Sequence, residues 1–255
     1  MRTSIRIATA TVTAASLGLL LTACGGGEKG GDKGKDAPKA SASASASAAP
    51  DAKALSAAEL EKLIVEKADL KGYQVEQAKA ADLAKPGDIV TDKAACLPLA
   101  EAMSSIAIGN APSSARRVAV ETPKTEKGAT GAPDGVLDAL GAPATAVTLG
   151  SHDGGGAQAA LALLKTAGTE CAGGFTATVG SEKTKITKVA PETVSAGEEA
   201  VAFTVTTDME GAPWTSKVVA FRQGNTLASF FVYSLVGKVD ALPKTVIDAQ
   251  AAKLG

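Results

Sequence analysis

An α+β fold, an antiparallel β-sheet with helices packed on it, is what the sequence predicts, and three observations predict it. Apolar residues recur at helical spacing near the two ends of the folded region, as Leu60, Leu63 and Ile64 at one end and Leu242, Val246, Ile247 and Leu254 at the other. Between them, five runs from Phe175 to Tyr233 alternate apolar with polar residues and are separated by Gly-bearing turns short enough to join antiparallel neighbours. Helices therefore flank a block of strands instead of interleaving with it. The chain has 255 residues and a formal net charge of −1, enough for one core once the first 54 residues are set aside. With 45% hydrophobic residues it is too apolar to be wholly disordered, and it is too neutral to coat nucleic acid.

Residues 1–23 carry the features of a secretory signal. Arg2 and Arg6 make a positive start, Ile7 to Leu21 form an uncharged apolar stretch, and small residues lead into Cys24. Leu21-Thr22-Ala23-Cys24 resembles the lipobox of bacterial lipoproteins, which implies that Cys24 is the lipid attachment site and the mature N-terminus. Two acyl chains hold a protein on a bilayer without a spanning helix, and the apolar run is shorter than the ~20 residues that cross one. Residues 24–54 then form a Gly/Lys/Ser-Ala linker with Ser-Ala repeats from Ser41 to Ala49. Such a segment buries too little apolar surface to offset its ordering entropy. As a coil its reach is about 30 Å. The localisation this predicts is the cell membrane, lipid-anchored on the extracytoplasmic face.

Residues 55–255 are read as the extracytoplasmic α+β domain. They hold 19 basic and 23 acidic side chains, a balance that argues against nucleic acid as partner. Ser56-Ala57-Ala58-Glu59 is a capping box and starts a helix predicted to run to about Leu70, where Gly72 stops it. Tyr73 to Val75 begins a short strand, and residues 79–92, with Pro86 and Gly87, read as loop. Leu97-Pro98 opens a second helix with Leu99, Met103 and Ile106 as its apolar stripe. Arg116 to Thr122 reads as a strand, Pro123 to Pro143 as irregular, Ala144 to Leu149 as a strand and Ala157 to Ala167 as a helix leading to Cys171. Phe175 to Val179, Thr184 to Val189, Val201 to Val205, Trp214 to Phe221 and Thr226 to Tyr233 are the five clustered strands. A last helix starts at Asp240 or Pro243 and reaches Leu254.

With Cys24 given to lipid, Cys96 and Cys171 remain, in a compartment that permits disulfides. We expect them bonded, joining the start of one helix to the end of another. A metal site lacks ligands, with one histidine in the chain and no Cys-x-x-Cys. Redox pairs usually sit two residues apart, and these do not.

The helix ending in Leu70-Lys71-Gly72-Tyr73, the helix-leading Cys96, the Ala-rich helix ending at Cys171 and the hairpin from Val218 to Val232 around Arg222-Gln223-Gly224-Asn225 resemble actinobacterial cell-wall lipoproteins. Their ectodomains are similar to the extracellular sensor domain of mycobacterial receptor-type Ser/Thr kinases. The resemblance implies an antiparallel sheet, packed helices, a ligand cleft, and sensing or binding instead of catalysis. This chain departs from it in having one cysteine pair where those domains have two.

Candidate sites are few. Ser151-His152-Asp153 spells a catalytic trio, but triad groups converge from separate segments whereas neighbouring side chains diverge. We read it as a polar loop in which Asp153 helps start the following helix. Gly154-Gly155-Gly156 lacks the spacing of a phosphate-binding loop and reads as a turn. Trp214, Phe221, Phe230, Phe231 and Tyr233 gather in one hairpin and read first as core, with pocket lining as the alternative. Glu198, Glu199, Asp208 and Glu210 read as solvated charge. The function expected is a binding or sensor module for an envelope component or partner protein; the alternatives are a carrier of a lipidic or other small ligand and, disfavoured, an envelope hydrolase. No catalytic residue, metal or cofactor is expected.

Overall fold

The computed structural model describes residues 52–78, 84–122 and 141–255. The signal peptide, Cys24, the linker as far as residue 51 and most of the stretch 123–143 lie outside the described residues. Nine strands form one antiparallel sheet: β1 (Tyr73–Gln77), β2 (Ile89–Thr91), β3 (Ser113–Glu121), β4 (Ala144–Ser151), β5 (Phe175–Val179), β6 (Glu182–Glu192), β7 (Glu199–Met209), β8 (Ala212–Gln223) and β9 (Thr226–Tyr233). Their spatial order is β1-β3-β4-β9-β8-β7-β6-β5-β2. The meander from β5 to β9 is the predicted one, and β9 then pairs with β4 along its full length, from Ser151↔Thr226 to Ala144↔Tyr233.

Four α-helices among the described residues cover the two faces: α1 (Ala57–Leu63), α2 (Leu97–Met103), α3 (Gly156–Glu170) and α4 (Lys244–Leu254). The period-2 alternation of the strands supplies a separate core to each face. On one face α2 and α3 pack Leu99, Leu161 and Leu164 against Phe203, Val205, Val218 and Ala220. On the other, α1 and α4 pack Leu60, Ile64, Val246 and Ile247 against Val219, Phe221, Ala228 and Phe230. Phe221 and Phe230 stack at a centroid distance of 5.7 Å inside this second core. Close packing of α3 on the first face depends on Gly168: a Cβ there would lie 2.1 Å from Cε1 of Phe203.

Cys96 and Cys171 form the expected disulfide, with Cα atoms 5.8 Å apart. It ties the 3-10 turn Ala94–Cys96 that leads into α2 to the C-terminus of α3, and both cysteines are fully buried.

Three elements differ from expectation. The capping box of Ser56 and Glu59 is present, but α1 ends at Leu63 instead of about Leu70. The cause is tertiary: the buried Gln250 side chain of α4 donates to the Leu63 carbonyl at 2.8 Å and accepts from the Val65 N–H at 2.9 Å, so the backbone groups a longer helix would pair internally are already taken. Within the stretch read as loop, Ile89–Thr91 pairs with β5 as a three-residue edge strand. The segment 52–55, assigned in part to the linker, is hydrogen-bonded to the sheet. Lys53 O accepts from Asn225 Nδ2 at 2.6 Å, Ala54 N donates to Asp153 Oδ1 at 2.8 Å, and Leu55 N donates to Ser151 Oγ at 2.9 Å.

Candidate functional site

The same face that α2 and α3 cover is left open at the far ends of β4, β8 and β9. Side chains that point to this face alternate along the strands: Ala146 on β4, Trp214 and Ser216 on β8, Phe231 and Tyr233 on β9. Helix α2 is only seven residues long and stops at Met103. Beyond its end lies a groove made of two adjoining pockets that share lining residues. One, of about 260 Å³, is bounded by Met209, Trp214, Ser216 and Phe231. The other, of about 500 Å³, extends to the β1–β3 edge, where Glu76, Arg116 and Val118 bound it. Met103, Ser104, Phe231 and Tyr233 line both parts.

Strand registry fixes this geometry. Phe231 and Tyr233 are two residues apart on β9, so they share a face and stack at 5.5 Å between centroids. Trp214 lies against the left-handed Gly237, φ +83°, where a Cβ would approach the indole to 2.7 Å. Any residue but glycine there pushes the ring into the groove or displaces the loop. Of the lining residues, Met209 and Val179 are exposed, and Leu235 and Val236, which follow the lining Ser234 in the chain, are exposed at 66% and 57%.

The reading of the five aromatics as core therefore holds for Phe221 and Phe230, which are fully buried. Trp214, Phe231 and Tyr233 are half-buried and line the groove, the alternative reading, and of these Phe231 also packs against the first core. The signal that separates them is parity along β9: Phe230 points to the closed face and Phe231 to the open one.

Charge at the site is uneven. Arg116, on β3, is half-buried, and its Nε is enclosed without a hydrogen-bond acceptor. Burial pulls its pKa downward, a measure of how poorly this charge is compensated. Among the described residues no carboxylate lies within ion-pair distance of it. The other low-exposure cations all have one: Arg117 meets Glu61 at 2.6 Å, Lys217 meets Glu192, and Arg222 meets Glu198. Glu76 shares the groove's edge with Arg116 but is exposed and forms no ion pair with it. The sequence signal for Arg116 was only a charge alternating with valines.

The Ser151-His152-Asp153 trio is spent on structure. Ser151 Oγ and Asp153 Oδ1 accept from the backbone of residues 55 and 54, and His152 is buried with an unpartnered Nε2. Burial depresses the His152 pKa, and the charge of Asp153 opposes this only in part. Asp153 does not cap α3 with its side chain, contrary to expectation; α3 starts from Gly155 without a side-chain cap. Gly156 is required because a Cβ would stand 2.8 Å from that of His152. Of the acidic residues read as solvated, Glu198 is enclosed against Arg222, and Glu199 and Asp208 pair with Lys165 and Lys185. Among the described residues no cluster of three or more His, Cys, Asp or Glu side chains gathers to hold a metal, and no helix is long and apolar enough to cross a membrane.

Neither the protein-family models nor the curated proteins give a match to this chain. Among solved structures, the chain is similar to the extracellular domain of PknH from Mycobacterium tuberculosis, at 10% identity and a TM-score of 0.47, over 79% of this chain and 97% of that one. This is the kind of domain that the sequence resemblance also pointed to.

Proposed function

We propose that the chain is a membrane-anchored extracytoplasmic lipoprotein whose folded domain is a binding or sensor module, with the groove beyond α2 as its ligand site. The observation that carries this reading is the half-buried cluster of Met103, Trp214, Phe231 and Tyr233 lining a concave site where α2 stops short of the sheet's end. Leaving such side chains open forgoes roughly 25 cal/mol for each Å² of apolar surface, and concave apolar sites with a few polar groups are the usual ligand sites. The buried Cys96–Cys171 disulfide supports an oxidising compartment. Leu21-Thr22-Ala23-Cys24 supports attachment of a diacylglyceryl anchor at Cys24. A binding role instead of catalysis is supported by Ser151, His152 and Asp153, whose polar atoms face the 52–55 segment and the interior, not one another.

The test is native mass spectrometry on the full chain recovered from the envelope of the producing organism, as wild type and as Ser216→Phe, which plugs the groove. We expect a reproducible bound mass in the wild type and none in the variant; unliganded masses in both refute the groove. In parallel, Cys24→Ser is expected to move the protein out of the membrane fraction. Undiminished membrane attachment of that variant refutes the anchor.

A further inference from the structure

The two parts of the groove differ in chemistry, and the difference specifies a class of ligand. One end is bounded by Trp214, Met209 and Phe231 and offers almost no charge. The other end holds Arg116, whose guanidinium is half-buried and lacks a carboxylate partner among the described residues. A cation so placed is destabilised unless an anion arrives from outside the fold, because burial removes the water that would otherwise solvate it. Among the described residues the other enclosed cations each have an internal carboxylate, so Arg116 stands apart from the way this fold treats positive charge elsewhere.

The two ends are separated by a readable distance. Arg116 is level with Thr148, Ser229 and Ala220 on the next three strands, and Trp214 lies six residues before Ala220 on β8. Three strand spacings across and six residues along give roughly 25 Å between the two backbone positions. Met103, Phe231 and Tyr233 pave the interval without a charged side chain among them. A small anion such as phosphate would satisfy Arg116 and leave the apolar part empty; a neutral apolar molecule would do the reverse.

We propose that the groove takes an anionic amphiphile, with its carboxylate or phosphate head on Arg116 and its long apolar chain running past Phe231 to Trp214. The proposal rests on the reading of the groove as a ligand site and adds the chemistry of the ligand. Arg116 supplies hydrogen bonds that are charge-assisted and poorly screened, and so selects the head. The apolar end supplies affinity in proportion to chain length.

Trp214 is the only tryptophan of the chain, so intrinsic fluorescence reports the apolar end alone. The experiment titrates the full chain carrying Cys24→Ser, which keeps acyl groups off the protein, with hexadecanoate, hexadecyl phosphate and hexadecanol delivered from cyclodextrin. Inorganic phosphate is titrated separately. We expect the two anionic amphiphiles to shift Trp214 emission with Kd values at least ten-fold below that of hexadecanol. Inorganic phosphate should leave the emission unchanged. Which of the two anions binds more tightly distinguishes a free carboxylate head from a phosphate headgroup.

Arg116→Gln is expected to bring the anionic ligands to within two-fold of hexadecanol while hexadecanol itself binds as before, which also shows that the variant is folded. Glu76→Gln, which removes the carboxylate at the same edge, should tighten the anionic ligands and not the alcohol. Equal affinities for alcohol and anions, or a preference that survives Arg116→Gln, overturns the amphiphile proposal and leaves the groove reading standing. No response of Trp214 to any of the three long-chain compounds likewise overturns the amphiphile proposal, while the native masses of wild type and Ser216→Phe decide the groove reading by themselves.

Discussion

Single residues decide how this domain responds to acid, and His152 is the clearest case because the chain has no other histidine. Buried beneath the loop that starts α3, it has a pKa depressed from the ordinary 6.5 by desolvation, with Asp153 acting weakly in the opposite sense. Below pH 6.5 the unfolded chain therefore binds a proton that the folded chain refuses. Stability is fully present above 6.5 and declines as the pH falls toward the folded value, by at most about 1.4 kcal/mol per pH unit. Glu101, raised from 4.5 by burial, works in reverse: the folded state holds its proton more tightly, so its contribution grows as the pH falls through the raised value toward 4.5. Comparing wild type with His152→Gln isolates the histidine. Thermal midpoints measured between pH 8 and pH 5 should fall for the wild type relative to the variant, starting near pH 6.5. Parallel profiles would show that His152 is not the titrating group.

Elements were legible in the sequence wherever a face is buried and illegible wherever a distant partner decides. The strands from β5 to β9 announced themselves by alternation, and α3 by its leucines, because burial on one side imposes the pattern locally. The end of α1 did not, since the group that ends it, Gln250, is 187 positions from the carbonyl it binds. The strand β2 is three residues beside a Pro-Gly turn and exists only because β5 offers an edge. For the groove, the aromatics were visible as a group, but which of them are covered depends on where α2 stops. The absence of a carboxylate near Arg116 is likewise a tertiary fact that no local pattern carries. The disulfide was legible by counting, and its energetic consequence belongs to this scale. It closes a loop over a sequence separation of 75 and should contribute about 4 kcal/mol through the entropy of the unfolded chain. Replacing Cys96 and Cys171 together by Ala is expected to lower the urea midpoint with a loss of about 2–4 kcal/mol, most of it from the unfolded state. An unchanged midpoint would mean that the packing of α2 on α3 alone fixes the two helices.

At the scale of the domain, the two ends of the β8–β9 hairpin carry different features. The groove opens at the Trp214 and Tyr233 end of β8 and β9, while the segment 52–55 joins the domain at the opposite end of the same hairpin, beside Asn225. About 24 Å of strand separates the two, counting seven steps from Thr226 to Tyr233 at the usual rise. A ligand of the proposed site therefore need not pass the segment that leads into α1. How firmly that segment is held can be read by proteolysis. The peptide bond between Lys53 and Ala54 is pinned on both sides, its carbonyl accepting from Asn225 Nδ2 and its N–H donating to Asp153 Oδ1. Trypsin needs an extended, unpaired strand at the bond it cuts, so this one should resist although lysine precedes it. Limited digestion of the full chain is expected to stop after Lys39, in the stretch whose Gly and Ser-Ala composition predicts a spacer, and to leave a fragment beginning at Ala40. Combining Asn225→Ala with Asp153→Ala removes both hydrogen bonds and should move the product to a fragment beginning at Ala54, read by intact mass. If the wild type is cut after Lys53 as rapidly as after Lys39, the segment is not part of the folded domain, and the fold begins at Leu55 instead of Ala52.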